Sequence, residues 1–224
     1  MINQLTTNLI DKLIHQLDFI LFITILFTSI IIYKKSINYY KLSSYNGFKH
    51  FANSFLFLGL SAISTFSKKL LANYIQIHQT INQTIINNLF ESLTFLNFYF
   101  LAMAGFFLIY SLVWKEIKSK KFNILLLNLL AFSLSYISYQ KNYLFYIVMI
   151  VLLIYGIMIS YEKYINTKNK QNKQSQLYLI SLILITITFV IQLLLGFFEI
   201  IKLYANISTI GVFLILLYIV RIKN

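Results

Sequence analysis

The sequence predicts an all-α polytopic membrane protein with seven transmembrane helices, its N-terminus outside and its C-terminus inside. Three observations carry that expectation. Of 224 residues, 59% are hydrophobic and only 11% charged, against about a quarter charged in soluble domains. Seven apolar runs follow one another, each near the roughly 20 residues that a spanning helix needs. Basic residues collect in alternate connections between the runs.

The runs cover 17–33, 48–66, 89–114, 122–139, 143–161, 177–201 and 205–220. None alternates with the period of a transmembrane barrel strand. None is rich in alanine, but in lipid a helix satisfies its own backbone hydrogen bonds and forms regardless of propensity. Ahead of the first run, Leu5, Leu9, Leu13 and Leu17 recur every four residues, with Gln4, Asn8, Asp11, His15 and Asp18 opposite. This reads as an external amphipathic lead-in over 1–16. It lacks the basic start and small-residue cleavage site of a signal peptide. Residues 67–88 read as a long external loop, containing either an interfacial helix or an outward extension of the third span. The chain is read as one domain over 1–224.

Orientation comes from the basic residues. Lys34, Lys35, Lys41, Lys49, Lys115, Lys118, Lys120, Lys121, Lys163, Lys168, Lys170, Lys173, Arg221 and Lys223 share one side, 14 in all. Lys12, Lys68, Lys69, Lys141 and Lys202, 5 in all, lie on the other. The richer side is cytoplasmic by the positive-inside rule. The net charge of +13 is thereby explained by anionic headgroups, and no nucleic-acid partner is expected. Absent Pro beside 21 Phe and 17 Tyr points to an AT-rich genome, so lysine over arginine is not itself informative.

Polar residues inside spans face protein or water, and several fall on helical stripes: His50, Asn53, Ser61, Ser64 and Lys68; Glu91, Thr94, Phe98, Ala102 and Gly105; Asn128, Ala131, Ser135 and Ser138; Ser181, Thr188, Gln192, Gly196 and Glu199. Such stripes make either packing seams, in which small residues allow close approach, or a pocket. The candidate pocket residues are Asn53, Ser61, Ser64, Glu91, Gln192 and Glu199, contributed by spans two, three and six. For packing, a seam between spans two, four and six is expected at Gly59, Ala62, Ala131, Ser135 and Gly196. Glu91 and Glu199 are the costliest to place; Glu91 has Lys68 or Lys69 as possible ion partners, Glu199 has Lys202.

Catalytic chemistry is not visible. Cys is absent, which removes disulfides, thiolate sites and cysteine nucleophiles. The seventh run has no lysine for a retinal Schiff base, and no His-Glu-x-x-His or Gly-x-Ser-x-Gly motif occurs. No enzyme activity, cofactor or metal is expected. Asp11, His15 and Asp18 have an acceptable metal-ligand composition, but an exposed amphipathic face gives the same spacing. At an offset of 128, Tyr33 to Asn38 lines up with Tyr161 to Asn166, superposing span one on five and two on six; a parity shared by spans one to three and five to seven would mean a parallel three-plus-one-plus-three duplication.

Tyr40, Gly47-Phe48-Lys49-His50-Phe51 and Ser54-Phe55-Leu56-Phe57-Leu58-Gly59-Leu60 resemble the second span of uncharacterised archaeal seven-span membrane proteins. Glu91-Ser92-Leu93-Thr94-Phe95 through Gly105, and Tyr204 with Gly211, are similar to their third and seventh spans. The resemblance covers most of the chain and rests on hydrophobic wording. It implies a seven-helix sensor module without a kinase domain, and it carries no catalytic residues. The leading expectation is therefore a receptor or sensor acting through a separate membrane or signalling partner. A small-solute transporter or channel and a structural subunit of a larger complex are the alternatives. The location expected is the cell membrane, or an organelle inner membrane, with the lipid bilayer as the first partner.

Overall fold

The structure is a computed structural model that describes residues 2–77, 83–115, 120–140, 142–166, 173–197 and 202–222. These form seven helices: α1 (Ile2–Ser43), α2 (Asn46–Ile77), α3 (Gln83–Val113), α4 (Lys120–Gln140), α5 (Asn142–Asn166), α6 (Lys173–Phe197) and α7 (Lys202–Ile222). Five are long and apolar enough to cross a membrane, over Gln16–Ser43, Asn46–Ile75, Thr84–Val113, Tyr143–Ile165 and Tyr178–Leu195. The apolar stretches of α4 and α7, Phe122–Ser138 and Tyr204–Val220, are shorter. Every helix turns large apolar side chains outward, among them Phe27, Leu56, Leu96, Leu129, Val151, Ile187 and Leu214. An all-round apolar exterior of this kind is suited to lipid and is a liability in water. Together these features support a multi-pass membrane protein.

The structure defines two segments more closely than their sequence reading. The lead-in continues into the first span as one helix, α1, unbroken for 42 residues. Within 67–88, α3 begins at Gln83, as an outward extension of the third span would, and α2 continues to Ile77, which the sequence reading did not include. Once a helix leaves the bilayer it continues while its backbone bonds keep an amphipathic face on a neighbour. Here Phe19 and Phe22 of α1 pack on Phe66 of α2, so α1 and α2 are still in contact where the extension of α2 begins.

Helix neighbours define a ring. α1 packs on α2, α2 on α3, α3 on α5, α5 on α6, α6 on α7, and α7 returns to α1. α4 lies outside this ring, against α3 and α5. The seam expected between spans two, four and six is therefore not formed. Ala131 and Ser135, both fully buried, belong to the α4 seam instead, where Tyr99 of α3 donates a hydrogen bond to Asn128 at 2.7 Å. Gly59 faces Ser29 of α1. The surroundings of Gly196 lie outside the described residues.

The ring has two dissimilar ends. At the turn end, α1 and α2 are joined by Ser44 and Tyr45. Ser44 adopts a left-handed φ of 54° and its N–H donates to Tyr40 O at 2.8 Å, the helix-ending geometry usually given to glycine. Gly47 follows because a Cβ there would stand 2.2 Å from the Tyr45 ring and 3.0 Å from Trp114 Nε1. Inward from this turn, Phe51, Phe55, Leu108, Leu182 and Leu216 are almost fully buried, and Tyr178 of α6 meets Phe51 edge-on at 4.5 Å. Two lysines close the same end. Lys35 of α1 donates to Val220 O of α7 at 3.0 Å, and Lys163 of α5 donates to Leu112 O of α3. Cations suit the unpaired carbonyls of helix C-termini. The two lysines are 128 residues apart, and each ties α1–α3 to α5–α7.

Candidate functional site

At the opposite end the ring helices line a half-open cavity of about 200 Å³. α1 lines it with Asp18, Leu21, Phe22 and Ile25, and α2 with Leu58, Ser61, Ala62, Thr65, Phe66 and Lys69. These spacings of three and four place each set on one helix face. α3 adds Asn97 and Leu101, α5 adds Tyr146, α6 adds Thr188, Phe189 and Gln192, and α7 adds Thr209 and Phe213. All six ring helices thus reach one space.

Its charge is a single ion pair. Lys69 Nζ lies 2.7 Å from Asp18 Oδ1, and Asn206 Nδ2 donates to the same oxygen at 2.7 Å. The pair ties α2 and α7 to α1. It is unequally placed: the Asp18 side chain is 7% exposed, that of Lys69 36%. Burying a carboxylate is costly unless it is both paired and hydrogen-bonded, and Asp18 has both kinds of support.

A second polar group stands on α2 and α3. Ser61 and Thr65 both donate to Asn97 Oδ1, at 2.6 and 3.0 Å. The amide oxygen is thereby occupied, while its nitrogen retains two donors. Thr188 and Thr209 donate to carbonyls of their own helices, Ile185 O at 2.7 Å and Ala205 O at 2.8 Å, so towards the cavity they offer acceptor lone pairs. The remaining wall is aromatic. Phe22 and Phe66 stack at 4.2 Å with an 8° interplanar angle, and Tyr146 and Phe189 stand opposite from α5 and α6. The result is a small apolar chamber with a few convergent polar groups, the common composition of ligand sites.

The six residues expected to form a pocket separate. Ser61 and Gln192 line the cavity. Ser64 is buried and donates to Leu60 O at 3.1 Å, off the cavity face. Asn53 is half-buried and belongs to the turn end of α2. Glu91 is exposed, and Glu199 lies outside the described residues. The anticipated partner of Glu91, Lys69, is taken by Asp18, and Lys68 sits over the Phe90 ring at 4.4 Å. The stripe on α3 divides likewise: Phe98 and Gly105 meet Phe145 and Met149 of α5, whereas Asn97, one position away, faces the cavity. Of the three metal-type residues, Asp18 is engaged with Lys69 and Asn206, and the side chains of Asp11 and His15 lie outside the described residues. Among the described residues no group of three His, Asp or Glu is placed to hold a metal.

Sequence reasoning missed Asp18, Lys69, Asn97, Thr65, Tyr146 and Asn206. A signal for the ion pair did exist. Antiparallel helices joined by a short turn face each other at residue numbers with a nearly constant total. Phe22 with Phe66, Ser29 with Gly59 and Asp18 with Lys69 total 88, 88 and 87.

Compared with family models, with curated proteins and with solved structures, the chain matches none. What stands is an all-α bundle with several candidate membrane-spanning helices and, among the described residues, a largely apolar chamber with a few polar groups between them.

Proposed function

We propose that this chain is a receptor-type membrane protein that binds a small polar ligand in the chamber and signals through a separate partner. The observation that supports this reading is the convergence of all six ring helices on one small cavity bearing an ion pair. A ligand there touches α1–α3 and α5–α7 at once. It therefore biases any arrangement in which their spacing differs, which is the thermodynamic requirement for a signal. The proposal includes seven crossings, with α4 and α7 as full spans: each has 21 residues, about 32 Å of helix against a hydrocarbon core of roughly 30 Å. It also includes the N-terminus outside, because the lysine-rich connections are then cytoplasmic.

Two experiments test it. Because the chain has no cysteine, single cysteines at Ser44 and Asn88 report sidedness; they should react from opposite faces, Ser44 from the cytoplasm. Reaction of both from one face removes the topology. For binding, small polar compounds should raise the melting temperature of the intact chain and lose that effect in Ala62→Leu, which fills the chamber. A ligand at about 100 times its Kd stabilises by roughly 2.7 kcal/mol, a shift of several degrees.

A second reading, a small-solute carrier, is favoured by Lys35 and Lys163. They hold α1–α3 against α5–α7 at both junctions of the turn end, where a rocking carrier would need a gate. Uptake into proteoliposomes that rises in Lys35→Met with Lys163→Met would select it.

A further inference from the structure

We infer that the ligand of this chamber is a small organic cation, a protonated amine, which takes the place of Lys69 on Asp18. This rests on the reading of the chamber as a ligand site and names its ligand class. The argument is the asymmetry of the ion pair. Asp18 is 7% exposed and Lys69 36%. An anionic ligand would draw Lys69 away and strand the deeply buried carboxylate with only the Asn206 amide. Such an unpaired buried charge is strongly unfavourable. A cationic ligand strands the lysine instead, and the lysine has a remedy. Its long stem carries the ammonium outward to water or headgroups while its carbons stay on apolar surface. Exchange of one cation for another also leaves the chamber's net charge unchanged.

The walls suit the same class. Phe22 and Phe66 present stacked rings, and Tyr146, Phe189 and Phe213 add further aromatic lining. Ring faces attract ammonium groups, more strongly when both are desolvated, and repel carboxylates. Thr188 and Thr209 have spent their hydroxyl hydrogens on backbone carbonyls, so they accept hydrogen bonds from N–H groups rather than donate to an anion. The volume accommodates such a ligand. A volume of about 200 Å³ corresponds to roughly half a dozen waters at about 30 Å³ each, enough for an amine of about as many non-hydrogen atoms.

The test uses three probes of one size on the intact chain in nanodiscs: n-butylammonium, 1-butanol and butyrate, at matched ionic strength. The readout is the melting temperature against probe concentration. Butylammonium should stabilise saturably by several degrees, with little effect from the other two. Lys69→Gln removes the competing cation, so it should bind butylammonium at least tenfold more tightly and regain with it the stability that the substitution costs. Asp18→Asn should abolish the effect. If Asp18→Asn does not fold, Lys69→Gln decides alone, because it keeps the carboxylate. Weaker butylammonium binding in Lys69→Gln overturns the exchange. Stabilisation by butanol or butyrate instead, lost in Ala62→Leu, overturns the cation class and leaves the ligand site standing. No stabilisation by any probe in either wild type or Lys69→Gln overturns both.

Discussion

At the turn end, Phe51, Phe55, Leu108, Leu182 and Leu216 fill the space between the ring helices and leave almost no exposed surface. About two to three helical turns farther along the same helices, Ser61, Thr65, Asn97 and Thr188 surround open volume. The composition of the helices is similar at the two levels; what changes is which side chains point inward. At the packed level, rings from α2 and α6 meet directly, as Phe51 does Tyr178, and the lysines act outside the core on helix ends. At the chamber level a lysine points inward because an aspartate is there to receive it. The lesson is that one bundle can be both a plug and a receptacle when bulky inward residues at one level are exchanged for hydroxyls and amides at the next.

Substitutions separate the two levels. The largest effect should come from Phe55→Ala, which empties a fully buried site at the packed end and should cost about 3–5 kcal/mol in a denaturant-unfolding measurement in detergent. A loss under 1 kcal/mol would mean that the plug is loosely packed.

Next is Lys69→Gln. It leaves Asp18 with Asn206 alone and should cost about 1–3 kcal/mol, less than a fully buried pair because Lys69 is partly hydrated. Asp18→Asn combined with Lys69→Gln should recover part of the loss, so a double-mutant cycle should show coupling above about 0.5 kcal/mol. Glu91→Gln, at an exposed position, should add independently to either. Strict additivity of Asp18 and Lys69 would dissolve the contrast at the chamber end.

A smaller, sharper comparison uses two alanines of α2. Ala52 is fully buried at the packed end, and Ala52→Leu should overpack it at about 1–3 kcal/mol. Ala62 lines the cavity, and Ala62→Leu should change stability by under about 1 kcal/mol, because open volume accepts the added carbons. Equal costs would show that the chamber closes in the folded protein.

Much of this was legible in the chain, for identifiable reasons. Seven helices follow from apolar runs whose length the bilayer dictates. Ser61, Thr188 and Gln192 were on readable stripes, because a helix repeats its face every three to four residues. Which stripe meets which helix was not legible, since α4 contains a stripe as regular as that of α6 and yet packs outside the ring. Asp18 was obscured by its neighbours: with Asp11 and His15 it continues an amphipathic pattern that suits an exposed face equally well. The extension of α2 past the lysines was hidden because Lys68 and Lys69 interrupt the apolar run, although Leu70, Leu71, Ile75 and Ile77 continue it beyond them. Asn97 was passed over because the apolar run around it offered a neater line through Phe98, Ala102 and Gly105, and that line proved to be the packing face against α5.

The most direct measurement compares reactivity at the two levels. The chain has no cysteine, so Thr188→Cys and Ser181→Cys each give a single thiol on α6, one lining the chamber and one buried at the packed end. Both are treated with a small cationic methanethiosulfonate reagent in the folded protein, with and without butylammonium. The expected result is modification of Thr188→Cys at least tenfold faster than Ser181→Cys, slowed by butylammonium. Equal rates at the two positions, or no modification at Thr188→Cys, would contradict the division of the bundle into a receptacle and a plug.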